Sequence, residues 1–145
     1  MVVKCQDEEL HCSSVISALP SFKLAELLLG HHPKLANLLK SIEFVTVGLA
    51  NLEWTGQKLN HDAFGFLVPS TENPSLLGVV YDSCCFPQGD RTIMTAMMGG
   101  RWFESSFGSH VSEQTLLEFA LKQVEKLLGI RDPVTRAQVH IHKQW

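Results

Sequence analysis

The chain has 145 residues, 45% of them hydrophobic, and carries 12 Lys and Arg against 15 Asp and Glu for a net charge of −3. That length and apolar share suit one ordinary domain with a core of its own and exclude intrinsic disorder. A mildly acidic balance without a run of Lys or Arg leaves no footprint for a phosphate backbone, so no nucleic acid is expected as partner.

At the start, Met1 to Lys4 is followed at once by the polar Gln6 to Glu9, which gives neither an apolar signal core nor a transit peptide. Val15 to Leu19 is a short, partly β-branched apolar run closed by Pro20 and predicts a buried strand. Behind Ser21 as N-cap, Phe22, Leu24, Leu27 and Leu28 recur at helical spacing up to Gly30, and Pro33 to Ser41 repeats the pattern. Ile42 to Trp54 is rich in β-branched and aromatic residues and predicts a long strand ending at the turn Thr55-Gly56. Phe64 to Val68, Leu76 to Asp82 and Arg91 to Met98 predict three more strands joined by loops of hairpin length. Ser112 then caps the one long helix, with Leu116, Leu117, Ala120, Val124, Leu127 and Leu128 as its apolar stripe and Gly129 as its stop. A last strand, Val134 to His142, alternates Ala137, Val139 and Ile141 against polar residues. These elements predict an α+β fold with a mostly antiparallel sheet and flanking helices, built as one continuous module. No apolar run approaches the roughly 18 residues of a membrane span.

Chemistry-bearing motifs are sparse. No Gly-x-Gly spacing occurs and no Gly precedes a Lys, so neither a dinucleotide-binding turn nor a P-loop is present. His31-His32, His140-x-His142 and Cys84-Cys85 are possible metal ligands, but no spacing completes a four-ligand zinc set, and no metal is expected. Four cysteines without a Cys-x-x-Cys pair read as free thiols, and Cys84 and Cys85, taken as strand neighbours, as one core and one surface side chain. No Gly-x-Ser-x-Gly elbow singles out a nucleophile, and no catalytic residue is assigned.

More specific information lies in Val15-Ile-Ser-Ala-Leu-Pro20, Phe64-Gly-Phe-Leu-Val-Pro-Ser70, Leu77-Gly-Val-Val-Tyr-Asp-Ser83 with Phe86-Pro87, Met97-Met-Gly-Gly100 and Val139-His-Ile-His-Lys143. With these, in this order, the chain from Ser14 to Lys143 resembles the animal protoporphyrinogen oxidases. The resemblance implies a two-domain flavin oxidase of the amine-oxidase-like superfamily, which uses FAD and molecular oxygen to take six electrons from protoporphyrinogen IX in haem synthesis. It implies the mitochondrial inner membrane as location, with peripheral membrane contact and room for a homodimer. On this reading residues 14–20 are a strand at an edge of the FAD domain, 21–134 a portion of the substrate-binding domain, and 135–145 a strand returning toward the FAD domain.

Carried over position by position, Phe64, Gly65, Leu67, Val80 and Met97 are the substrate-pocket residues, and Ile141 and Trp145 are candidates for cofactor contact. Such a pocket has to hold a flat macrocycle and exclude water while the flavin carries the chemistry. Apolar side chains on strands are also ordinary core, and Met97 suits a core gap as well as a flat ligand. Strict alternation puts Phe64 and Leu67 on opposite faces, so both line one pocket only where a bulge or twist at Gly65 intervenes. Phe66 stands where the animal members commonly carry a histidine, and the Gln88-Gly-Asp90 loop is shorter than theirs. The isolated chain, lacking the glycine-rich turn, is expected to be inactive and is read as a fragment. A non-catalytic tetrapyrrole-binding or regulatory module is the alternative, and an oxidase of other amines is disfavoured by the single Tyr81.

Overall fold

A computed structural model describes residues 2–143. These residues divide between Glu43 and Phe44 into two compact units, where the sequence suggested one module. The first unit holds an antiparallel hairpin, β1 (Val2–Cys5) and β2 (Glu8–His11), and two helices, α1 (Ser21–Leu28) and α2 (Pro33–Lys40). The hairpin turns at Gln6, which takes φ 50°, and Lys4 pairs across it with Glu9 at 2.9 Å. Pro33 starts α2 at a position where its missing N–H costs nothing.

Two sequence expectations fail in this unit. Among the described residues Val15 to Leu19 joins no sheet, and Ile16 is 98% exposed. A strand is stable only when its N–H and C=O groups find a neighbouring strand, and apolar composition cannot supply one. Ser21 is the first helical residue, not the N-cap, a place taken by Pro20, and its buried hydroxyl lacks a partner.

The second unit is built on a five-stranded antiparallel sheet in the order β4-β5-β6-β3-β7. Its strands are β3 (Thr46–Thr55), β4 (Gly65–Leu67), β5 (Leu76–Val80), β6 (Arg91–Gly100) and β7 (Arg136–His142), with α3 (Asp82–Cys85), α4 (Phe103–Phe107) and α5 (Glu113–Leu128) between them. The strands predicted for this unit are all present, with β3 starting four residues later than expected. Strand alternation gives the sheet two faces. Ala50, Leu52 and Trp54 of β3 and Met94, Ala96 and Met98 of β6 are buried in a core with Leu116, Ala120 and Val124 of α5. Gly48 lets the helix approach, since a Cβ there would stand 3.0 Å from the Leu116 side chain.

The ends of α5 are as expected. Ser112 accepts a hydrogen bond from the Thr115 N–H at 3.1 Å, and Gly129 takes the left-handed conformation at φ 72°. The stripe is not quite the predicted one. Gln123 is buried on the face of 116, 120 and 124, whereas Leu127, which shares that face, lies in the last turn of the helix and is 45% exposed. Gln123 is satisfied there by the Asn73 amide at 3.0 Å. Cys84 and Cys85 lie on the one-turn α3, not on a strand, so the opposite-face argument does not apply; Cys84 is half-buried and Cys85 exposed.

Candidate functional site

On the face of the sheet away from α5, the β4–β5–β6 end forms a concavity of about 230 Å³. Phe64, Gly65, Leu67, Val80 and Met97, the five residues singled out in the sequence, all line it, together with Phe66, Gly78 and Val79. Register explains the convergence. Gly65 stands opposite Val80, Leu67 opposite Gly78, and Gly78 opposite Met97, and opposed residues in an antiparallel sheet share a face.

The conflict over Phe64 and Leu67 is resolved at Gly65. The strand begins only there, with φ 139°, a backbone conformation that L side chains rarely adopt. Phe64 therefore lies outside the alternation, and it lines the same concavity as Leu67. Any other residue at 65 would force the neighbouring backbone to shift, because its Cβ would fall onto the Val79 carbonyl oxygen. Phe64 and Leu67 are 73% and 87% exposed, an unusual display of large apolar side chains at one spot.

Phe66 points the other way. It stands opposite Val79 and meets Tyr81 edge-to-face with ring centroids 6.1 Å apart, a packing that an aromatic hydrocarbon suits better than an imidazole. Tyr81 is only 3% exposed, and burial pushes its phenol above the usual range, with Cys84 adding to the rise. Gly78 is a lining residue that the sequence reading passed over. Its signal was a glycine inside a strand, which marks a close backbone approach: a Cβ there would meet the Phe66 carbonyl oxygen at 2.5 Å, and the β5–β6 register shifts between Leu76 and Gly78.

Polar groups border the concavity on one side. Thr95, opposite Val80, donates to the Asp82 carboxylate at 2.8 Å, and farther along the same face Arg91 pairs with Glu53 at 3.2 Å. Among the described residues no cluster of three His, Cys, Asp or Glu is placed to hold a metal ion, and no helix is long and apolar enough to cross a membrane.

Of the two cofactor candidates, Ile141 is not brought to this site. Ile141 stands opposite Gly48 on the helix-covered side, where it lines a separate cleft with Thr46, Phe103 and Lys143, and Trp145 lies outside the described residues. Nor do the described residues fit a dinucleotide. No strand runs through a glycine-rich turn into a helix, and the N-terminus of α5 is occupied by its own Ser112 hydroxyl.

No family model matches the sequence. Curated relatives do: over 147 residues the chain is 37% identical to protoporphyrinogen oxidase of Bos taurus and 36% identical to that of Homo sapiens, each match covering 97% of the chain. The chain resembles a part of protoporphyrinogen oxidase. That part is limited, since the chain spans about 31% of the length of these relatives. A protoporphyrinogen oxidase of Dictyostelium discoideum matches at 29% identity over 88% of the chain. Among solved structures, a bacterial "Putative protoporphyrinogen oxidase" from Exiguobacterium superposes on 99% of the chain with a TM-score of 0.70 at 17% identity, which establishes a shared fold. The expected α+β architecture, with its antiparallel sheet and flanking helices, is thus found in a chain carrying the protoporphyrinogen oxidase name.

Proposed function

We propose that this chain supplies the apolar substrate surface of an oxygen-dependent FAD oxidase that converts protoporphyrinogen IX to protoporphyrin IX in haem synthesis at the mitochondrial inner membrane. The supporting observation is the convergence of Phe64, Gly65, Leu67, Val80 and Met97 on one exposed concavity. Wide apolar side chains with two backbone glycines beneath them accept the face of a flat ring, and burying that ring removes both surfaces from water.

The chain's own part is binding, orientation and exclusion of water. FAD supplies the electron acceptor when bound, and in the complete protein it is held by residues outside this chain, whose described residues do not fit it. The chain alone is therefore expected to bind a tetrapyrrole without turning it over, and to retain no flavin on gel filtration.

Fluorescence titration of the 145-residue protein with protoporphyrin IX tests the reading. Saturable quenching is expected, and Leu67→Arg, which puts a charge where the ring would lie, should weaken it by roughly tenfold or more. Absence of saturable binding, or an unchanged affinity in Leu67→Arg, would overturn it. Turnover by the chain alone, in the presence of added FAD and oxygen, would overturn the division of labour.

A further inference from the structure

Two stretches of the sequence are left unused by the tetrapyrrole concavity, the glycines Gly99-Gly100 and the end of β7 from Ile141 to Lys143, and both serve the cleft on the helix-covered side of the sheet. This cleft holds about 520 Å³ against about 230 Å³ for the concavity, within the range usual for small-molecule sites. Its floor is apolar and fixed. Phe103, only 4% exposed, packs on Phe107 with ring centroids 5.5 Å apart, and Phe107 meets Phe119 of α5 edge-to-face at 5.1 Å. Gly99 makes room for this packing, since it takes φ 93° and a Cβ there would collide with the Phe103 ring. Ile141 reaches the same floor from β7, and Val111 from the loop that leads into α5, both half-buried.

The rim carries both signs of charge. Glu104 on α4 and Lys143 just past β7 are exposed and line the cleft together. Among the described residues neither side chain makes an ion pair, with the other or with any third group, so each keeps its charge available to an occupant. A purely apolar ligand leaves both charges unmatched, an anion meets Glu104, and a cation meets Lys143. An apolar body with one carboxylate and one ammonium group matches floor and rim at once. In a free amino acid these two groups share one carbon, whereas the termini of an extended dipeptide stand roughly 7 Å apart, which suits two rim charges too distant to pair with each other.

We infer that this cleft binds a short apolar peptide as a zwitterion, with Lys143 donating to its terminal carboxylate, Glu104 accepting from its terminal ammonium, and its side chains resting on Phe103, Val111 and Ile141. The inference stands apart from the tetrapyrrole reading, because the two sites lie on opposite faces of the sheet and share no lining residue.

The full chain is titrated with leucyl-leucine and followed by amide chemical shifts. Saturable shifts are expected at Phe103, Val111 and Ile141, with β4 and β5 unmoved. Leucyl-leucinamide, which lacks the carboxylate, and N-acetyl-leucyl-leucine, which lacks the ammonium, should each bind roughly tenfold more weakly, as for the loss of one charge-assisted hydrogen bond. Lys143→Gln should remove the penalty for the amide and keep that for the acetylated form, and Glu104→Gln should do the reverse; both positions are exposed, so neither change disturbs the fold. Absence of saturable shifts, shifts centred on β4 and β5, equal affinity for leucyl-leucine and its two capped forms, or penalties that survive both variants would each overturn the inference while leaving tetrapyrrole binding intact.

Discussion

The two faces of the five-stranded sheet draw on the same strands and on similar side chains, yet they are finished in different ways. On one, Leu52, Met94, Ala96 and Met98 are fully buried with Leu116 and Ala120 of α5. On the other, Leu67 is 87% exposed and Met97 sits beside it over two backbone glycines. Hydrophobicity alone does not separate core from site, because both faces are apolar at the β5–β6 end. What separates them is whether the protein's own chain completes the packing. The covered face is closed by a helix that Gly48 admits, and at the β4 end of the other face Phe64 and Leu67 are left exposed.

The strongest way to break that comparison is to remove one leucine from each face. Leu52→Ala should cost about 2–5 kcal/mol of stability, the usual range for a buried leucine that leaves a cavity. Leu67→Ala should change stability by no more than about 0.5 kcal/mol, as a surface substitution does, while weakening tetrapyrrole binding. Urea unfolding of the two variants checks this, and equal losses would show that the open face is packed after all. Next in size is Gly65→Ala, expected to cost about 1–3 kcal/mol because a side chain is strained at this φ and its Cβ falls onto the Val79 carbonyl. The damage should be local, seen as faster amide exchange in β4 and β5 with β3 and β6 unchanged.

Legibility in the sequence followed the same divide. Elements completed by local chemistry could be read directly: α5 from Ser112 and Gly129, and β3, β5 and β6 from their β-branched runs. Elements that depend on a partner could not. Val15 to Leu19 has the composition of a strand but no neighbour among the described residues, and β1 and β2, almost fully exposed and turning at Gln6 without glycine, show neither alternation nor a turn signal. The pocket residues were visible only through resemblance, since apolar strand residues look alike whichever face they take. Period-two reasoning even argued against pairing Phe64 with Leu67, because it cannot see that a positive φ at Gly65 takes Phe64 out of the alternation. Gly78 belongs to the same surface through cross-strand register, which no local window contains.

The covered face also holds a polar group, and this sharpens the contrast. Thr92 is fully buried, donates to the Gly56 carbonyl at 2.8 Å and accepts from the Lys58 N–H at 2.9 Å, fixing the loop that follows β3. Thr92→Val keeps the shape and removes both bonds. It should cost about 1–3 kcal/mol, measured as a lowered urea midpoint, because the backbone groups it served lose their partner. Thr95, on the open face of the same strand, can be exchanged for Val with a smaller loss, since water reaches Asp82 in its place.

The smallest expected effect reads the boundary between the faces through Tyr81, the only tyrosine in the chain. Its ring is buried beside Phe66, and burial, followed by the effect of Cys84, raises its pKa above the ordinary 10.0. The sign follows from linkage: a folded state that holds the proton more tightly than the unfolded state keeps its full stability below the unfolded pKa and loses it as pH rises through the folded value. Wild type should therefore lose stability above about pH 10. Tyr81→Phe removes that component, so the difference between the two proteins' urea midpoints should shrink or reverse on going from neutral to alkaline pH, with other alkaline titrations common to both. Tyrosinate absorbance reports this one group without overlap from a second tyrosine, and should appear at higher pH in the folded chain than in urea. If the two curves coincide, the Tyr81 ring is open to solvent and the helix-covered face is less closed at β5 than the packing against Phe66 implies.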